Sequence, residues 1–159
     1  MIRVWELNTG EEIASLNHGR RVVSVAFDPT GSLIASGAGD KTIKLWDARA
    51  GKEFLTLEDC RDGYIENQGF PVTFNKDGQI VATGSEDGRV KLWDCQTGDL
   101  LKSLEAHDSA VLSLLFDPSG QRLLSRSEDG QVKLWNSSSG EVIFSLHMSG
   151  FLRPRSVLV

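Results

Sequence analysis

No stretch of this sequence is apolar for long enough to cross a bilayer. The longest runs, Val22 to Phe27 and Ala110 to Phe116, are short and each is interrupted by serine, so no membrane span is expected. A basic excess is also lacking. The formal net charge of −5 argues against a general nucleic-acid surface, which needs cations to displace counterions from phosphate, although a local basic patch stays open. Met1 to Trp5 lacks the basic segment followed by an apolar one that marks a secretory leader, so none is expected. There are only two cysteines, Cys60 and Cys95, without metal-ligand spacing. They are expected to remain reduced thiols in an intracellular protein. No glycine-rich phosphate loop followed by Lys and Ser/Thr occurs, and no paired metal ligands. Neither a metal nor any other cofactor is expected, and no enzymatic activity.

What the sequence has is repetition. Tryptophan falls at Trp5, Trp46, Trp93 and Trp135, at successive intervals of 41, 47 and 42 residues, a period that decides architecture before local propensity does. A glycine follows each by five positions, at Gly10, Gly51, Gly98 and Gly140. In the last three copies an aspartate precedes the Trp by six (Asp40, Asp87, Asp129), a hydroxyl residue by ten (Ser36, Thr83, Ser125) and a phenylalanine by 19 (Phe27, Phe74, Phe116).

Each period divides into short β-rich runs separated by turn residues. In the clearest copy, Val22 to Phe27 reads as a first strand, closed by the turn Asp28-Pro29-Thr30-Gly31, where Pro pre-sets φ and Gly permits the reversal. Leu33 to Gly37, Thr42 to Asp47 and Glu53 to Leu57 read as three further strands, with Gly39-Asp40-Lys41 and Ala50-Gly51 between them. Asp87-Gly88 and Asp129-Gly130 are hairpin dipeptides of the next two copies. Four strands make one small sheet that is marginal alone, so neighbouring sheets must cover it, and radial packing of such sheets makes a propeller.

The segments Thr42-Ile43-Lys44-Leu45-Trp46-Asp47 and Arg89-Val90-Lys91-Leu92-Trp93-Asp94, the variant Gln131-Val132-Lys133-Leu134-Trp135-Asn136 and the looser Ile2-Arg3-Val4-Trp5-Glu6 resemble the WD40 repeat family over nearly the whole chain. The resemblance implies an all-β fold: a partial WD40 β-propeller of about three and a half four-stranded antiparallel blades. It also implies hydrogen-bonded tetrads of His, hydroxyl, Asp and Trp. Carried over residue by residue, these are His18, Ser36, Asp40 and Trp46, and His107, Ser125, Asp129 and Trp135. The repeat between has Thr83, Asp87 and Trp93 but no His, with the region of Cys60 in its place, so that blade is expected to be less tightly fastened. Ser, His and Asp are also the parts of a hydrolase triad. Recurrence in successive repeats, with Trp as final donor, favours buried polar satisfaction over nucleophile activation.

Lys44, Lys91 and Lys133, with Arg3, recur two places before each Trp; they read as side chains laying their stems on apolar surface with the head at water or a carboxylate, rather than as a basic ladder. Individuality in repeat proteins lies in loops. Leu57 to Phe74 spans 17 residues, against 11 for Leu16 to Phe27 and 12 for Leu104 to Phe116, so five or six residues are inserted within Asp59 to Phe70. The insert carries Arg61, Asp62, Tyr64, Glu66 and Asn67, a composition that fits an interaction site and equally a tolerated insertion. By resemblance, peptides bind the face carrying these loops, where Arg20, Arg21, Glu86, Asp108, Ser109 and Glu128 are expected, giving mixed charge. Arg126 departs from the glycine of Gly37 and Gly84, Asn136 from the usual Asp, and His147 lies off the expected His position.

The expected division is a single repeat region, 1–159, with a half blade at 1–18, blades at 19–58, 59–105 and 106–147, the second bearing the insertion, and a tail or start of a further blade at 148–159. Such an open ring leaves strand edges and apolar faces uncovered, so the expectation is either a piece of a longer propeller or a chain whose copies self-associate. Three functions are weighed. The first is a non-enzymatic scaffold that binds protein or peptide partners through its loop face. The second is a regulatory or sensing propeller of a larger signalling protein, a kinase or nucleotide hydrolase. The third, least favoured, is a propeller enzyme. A cytoplasmic location is expected, with the nucleus left open.

Overall fold

The computed structural model describes residues 1–58 and 70–148, and these are strands, turns and loops throughout. Strands β1 (Ile2–Trp5) and β2 (Glu12–Leu16) form an antiparallel pair. Three four-stranded antiparallel sheets follow. The first holds β3 (Val22–Phe27), β4 (Leu33–Ala38), β5 (Thr42–Asp47) and β6 (Lys52–Glu58). The second holds β7 (Val72–Phe74), β8 (Ile80–Gly84), β9 (Arg89–Asp94) and β10 (Leu100–Glu105). The third holds β11 (Val111–Phe116), β12 (Arg122–Ser127), β13 (Gln131–Asn136) and β14 (Val142–His147). In every sheet spatial order follows chain order, the pattern of a partial β-propeller built from meanders. Among the described residues no helix is long and apolar enough to cross a membrane.

Alternation along the strands gives each sheet two apolar faces, and the core lies between sheets rather than within one. Ala35, Ile43, Leu45 and Leu57 of the first sheet meet Val72, Phe74, Val81 and Trp93 of the second. Ala82, Val90 and Leu92 on the other face of the second meet Val111, Leu114, Phe116, Leu123 and Trp135 of the third. Val4, Ala14 and Leu16 of the leading pair cover Ile34 and Trp46. Ile43, Leu45, Val81, Val90 and Leu123 are fully buried, and each such side chain contributes about 1.5–3 kcal/mol relative to exposure.

The glycines five places after Trp93 and Trp135 have an inter-sheet reason. Gly98 has φ +78°, and a Cβ there would lie 2.8 Å from Leu55 Cδ2 in the outer strand of the preceding sheet; Gly140, also at φ +78°, stands the same way against Leu104 Cδ2 at 2.8 Å. A second pair of glycines admits the following sheet: a Cβ on Gly37 would lie 2.6 Å from the Phe70 carbonyl oxygen, and one on Gly84 2.6 Å from Val111 Cγ1. Arg126 occupies that register in the third sheet, opposite Val132 as Gly37 is opposite Ile43 and Gly84 opposite Val90. It is exposed there, beside exposed Leu115, Leu124, Phe144 and Leu146.

Loops gather on one face. The end of β4 meets Phe70 just before β7, and Gly84 at the end of β8 donates its backbone N–H to the Pro71 carbonyl while Ser85 accepts from Val111 N–H. The loops entering β3, β7 and β11 therefore lie at the same end as the turns after β4, β8 and β12. The turns after β3, β7 and β11 occupy the opposite end, where Gly78 lies against Asp28 and Gly120 against Lys76.

Candidate functional site: polar relays and the loop face

In the third sheet the expected tetrad is assembled. Trp135 Nε1–H donates to Ser125 Oγ at 2.8 Å, Ser125 Oγ lies 2.7 Å from His107 Nε2, and His107 Nδ1 lies 3.1 Å from Asp129 Oδ2. Asp129 also accepts the backbone N–H groups of Gln131 and Asp108. Burial pushes the Asp129 carboxyl up, but these donors and His107 outweigh it and hold it below its ordinary value. Burial lowers the His107 pKa, with Asp129 opposing incompletely, so the ring is held neutral near pH 7. A neutral ring has one donor and one acceptor, which suits one hydroxyl and one carboxylate.

The first set differs from expectation. Trp46 donates to Ser36 at 2.8 Å, and Ser36 Oγ lies 2.8 Å from His18 Nδ1. His18 Nε2 then meets Thr42 Oγ1 at 2.9 Å rather than Asp40, whose Oδ1 is 3.8 Å away; Thr42 Oγ1–H donates to Asp40 at 2.7 Å. The set has five members, and the ring is turned so that the opposite nitrogen faces the serine. Thr42 was not among the residues expected from the sequence. Its signal there is a hydroxyl two places after the turn aspartate, where the other copies carry Arg89 and Gln131.

In the second sheet Trp93 donates to Thr83 at 3.0 Å. Asp87 does not join them, contrary to its marker position: it bonds Ser85 Oγ and the Arg89 backbone N–H, and its Oδ2 lies 3.4 Å from Arg89 Nε. The carboxylate is drawn outward by two nearer partners, each two residues away. All three Trp rings carry a lysine ammonium, Lys44, Lys91 and Lys133, at 5.7, 5.9 and 5.9 Å from the ring centroid. Lys44 also meets Glu53 at 2.6 Å, and Lys133 donates to the Ala106 carbonyl at 2.6 Å. Lys44 thus lays its stem over the ring with its head at a carboxylate, as expected, whereas the head of Lys133 goes to a backbone carbonyl.

Hydrogen bonds knit the loop face. Gly39 N–H donates to the Arg21 carbonyl, Glu128 N–H to the Ala110 carbonyl and His107 N–H to the Gly88 carbonyl. Ser109 Oγ lies 3.5 Å from Glu128. Arg20, Arg21, Asp108 and Glu128 are exposed there, and Glu86 and Ser109 are half-buried. Between the second and third sheets this face opens into a cleft of about 410 Å³ lined by Asp87, Arg89, Glu105, Ala106, His107, Asp108 and Lys133. Tyr64, Glu66, Asn67 and Cys60 lie outside the described residues, as do residues 149–159 of the expected tail or start of a further blade. Cys95 is a buried free thiol. Among the described residues no cluster of His, Cys, Asp and Glu has the makings of a metal site.

Three four-stranded meanders that present Trp-hydroxyl pairs between them, two completed by His and Asp, define a WD-repeat β-propeller. The particular family is that of the Nucleolar protein 10-like, N-terminal domain: its model matches residues 1–153, and the chain belongs to it. Among curated proteins, a probable serine/threonine-protein kinase PkwA of Thermomonospora curvata is 51% identical over 47 residues, 30% of this chain and 6% of that protein. Eukaryotic translation initiation factor 3 subunit I of Botryotinia fuckeliana is 38% identical over 58 residues, 36% of this chain and 17% of that protein. The periodic tryptophan protein 2 homolog of Schizosaccharomyces pombe is 43% identical over 47 residues, 29% of this chain and 6% of that protein. The matched stretch is thus a small part of each. Of solved structures, the computationally designed Ika8 protein is similar at TM-score 0.73 and 33% identity, over 91% of this chain and 42% of that one. Kinship with WD-repeat propellers supports a role in protein interaction.

Proposed function

We propose that this chain is a non-enzymatic scaffold that holds protein or peptide partners on its loop face, through Arg20, Arg21, Glu86, Asp108, Ser109 and Glu128, with Tyr64, Glu66 and Asn67 of the insertion as further contacts. The observation that carries the reading is the division of the polar groups. His18, Ser36, Asp40 and Trp46, and His107, Ser125, Asp129 and Trp135, are committed to hydrogen bonds that join strand to loop, whereas Arg20, Arg21, Asp108 and Glu128 of the loop face are exposed and Glu86 is half-buried. A serine that accepts from an indole N–H and meets a neutral histidine in the interior has no open side for a substrate. The division into a half blade at 1–18, blades at 19–58, 59–105 and 106–147 and a further element at 148–159 belongs to the same proposal, as does a cytoplasmic location.

Affinity capture from cell extract tests it. The intact chain is compared with Glu86→Lys/Glu128→Lys, with Arg20→Glu/Arg21→Glu and with a deletion of Tyr64 to Gln68, all matched for melting temperature. Loss of specific partners in the loop variants supports the reading; unchanged capture in all three overturns it.

The match to the kinase PkwA favours a second reading, that this propeller senses or regulates within a larger signalling protein. Sequencing the gene through both flanks of the region tests that: a kinase or nucleotide-hydrolase domain in frame supports it, and its absence from the complete reading frame refutes it.

A further inference from the structure

The contacts between successive sheets repeat one fit. The residues nine and eleven places after a Trp lie against the glycine five places after the next Trp. Ala14 and Leu16 stand 3.3 and 3.9 Å from a Cβ on Gly51, Leu55 and Leu57 2.8 and 3.4 Å from one on Gly98, and Lys102 and Leu104 3.1 and 2.8 Å from one on Gly140. Half of the fit is left over at each end. At the tail end, Phe144 and Leu146 stand nine and eleven places after Trp135, and Leu146 is 51% exposed where its counterpart Leu57 is 1% exposed. At the head end, Gly10 has nothing within 4 Å of a Cβ, and Leu7 of the same turn is 95% exposed where its counterparts Ala48 and Cys95 are 4% and 1% exposed. Arg126 decides what can cover the tail face. In its register, Gly37 and Gly84 are where Phe70 and Val111, at the start of the next sheet, come within 2.6 Å of a Cβ, so an arginine there bars a four-stranded sheet from approaching in the same way. A sheet of outer strands alone is not barred. β1 and β2 form such a sheet, being the counterparts of β5 and β6 and pairing only with each other. Their open face carries Arg3 and Glu12 at 3.6 Å, counterparts of Lys44 and Glu53 at a contact already formed, so covering it asks for no new kind of charge burial.

We propose that the outer half of the third sheet is a docking surface for the leading pair of a second copy of this chain, with Phe144 and Leu146 of one copy against Trp5, Leu7 and Gly10 of the other. Because the contact joins unlike ends, a second equivalent contact closes a ring of two. Each copy brings four sheets, and eight lies within the range in which propellers close. The surface uses sheet faces and not the loop face, so it is independent of the loop-face reading above.

Sedimentation velocity on the intact chain over a concentration series tests it. A discrete species of twice the chain mass is expected. Leu146→Asp at the tail and Leu7→Asp at the head should each raise the dissociation constant at least about a hundredfold, because either change spoils both contacts of the ring. Mixed in equal amounts, the two variants should regain a dimer, held by the contact in which neither carries its change. Gly10→Ala should weaken the dimer about tenfold beyond its effect on the dissociated chain, whereas Gly31→Ala, at φ +72° with the same open space, should leave association unchanged. Melting temperatures at a concentration where every variant is monomeric check that each is folded. A chain that stays monomeric up to about 100 µM overturns the proposal and leaves the face to residues 149–159 or to another protein. An association lost in Leu146→Asp but kept in Leu7→Asp, which would join like faces, also overturns it, as does a mixture that regains no dimer.

Discussion

His107 Nδ1 lies 3.1 Å from Asp129 Oδ2, whereas His18 Nε2 stands 3.8 Å from Asp40 and bonds Thr42 instead at 2.9 Å. The two fasteners therefore fail differently when an aspartate is removed. Asp129→Ala strips an acceptor from a buried ring and from two backbone donors and should cost about 2–3 kcal/mol, since donors would be left unsatisfied. Asp40→Ala leaves the Thr42 hydroxyl on His18 and should cost roughly half as much. Thr42→Val should cost about 1–2 kcal/mol, while Gln131→Val, at the equivalent place, should be nearly neutral. Urea denaturation of the four variants checks the order.

Acid should loosen both fasteners before it titrates the carboxylates. Burial lowers His18 and His107 below the ordinary value of 6.5. The unfolded chain then binds more protons than the folded one as pH falls through 6.5, so this stability is complete above 6.5 and declines below it until the folded rings protonate. Melting temperature should fall on going from about pH 7.5 to about pH 5.5, and less steeply in His18→Gln/His107→Gln, which starts less stable but has lost these titrating groups. A melting temperature flat across that window would contradict the burial of neutral rings.

Inter-sheet approach makes the glycines unequal. Gly10 has φ +71° with nothing within 4 Å of a Cβ, whereas Gly98 has φ +78° and Leu55 in the way. Gly10→Ala should cost about 1 kcal/mol from backbone strain alone, and Gly98→Ala about 2 kcal/mol or more. Gly84→Arg, which places in the second sheet what Arg126 places in the third, should prevent cooperative folding. Equal melting temperatures for the two alanine variants would remove the packing explanation.

Burial first, then the charges of Asp94 and Asp28, push the Cys95 thiol up to about 12. Iodoacetamide at pH 8 should alkylate it at least about a hundredfold more slowly in the native chain than in urea, because the thiolate is the nucleophile. Mass spectrometry of the Cys95 peptide reads this directly.

The meanders were legible in the sequence because their determinants are local. Pro and Gly at the turns and alternation in Thr42 to Asp47 or Arg89 to Asp94 bracket the strands, with β4 and β6 extending one residue beyond the expected ends. The Gly98 and Gly140 markers were visible, but their cause was not, because Leu55 and Leu104 come from another sheet. Thr42 and Asp87 escaped because spacing places a backbone and not a rotamer. In the first set a hydroxyl comes between ring and carboxylate; in the second, Ser85 and Arg89 compete for the carboxylate locally. The cleft joins residues of two repeats, from Asp87 to Lys133, and no single period contains it.

One paired measurement tests the proposed division of polar groups between fastening and binding. Ser125→Ala and Glu86→Lys/Glu128→Lys are each measured for unfolding free energy and for partner capture below their melting temperatures. Ser125→Ala should lower stability by about 1–3 kcal/mol and keep capture, while the loop variant should keep stability and lose capture at least about fivefold. A folded Ser125→Ala chain that loses a specific activity, or a loop variant that captures as before, would contradict it.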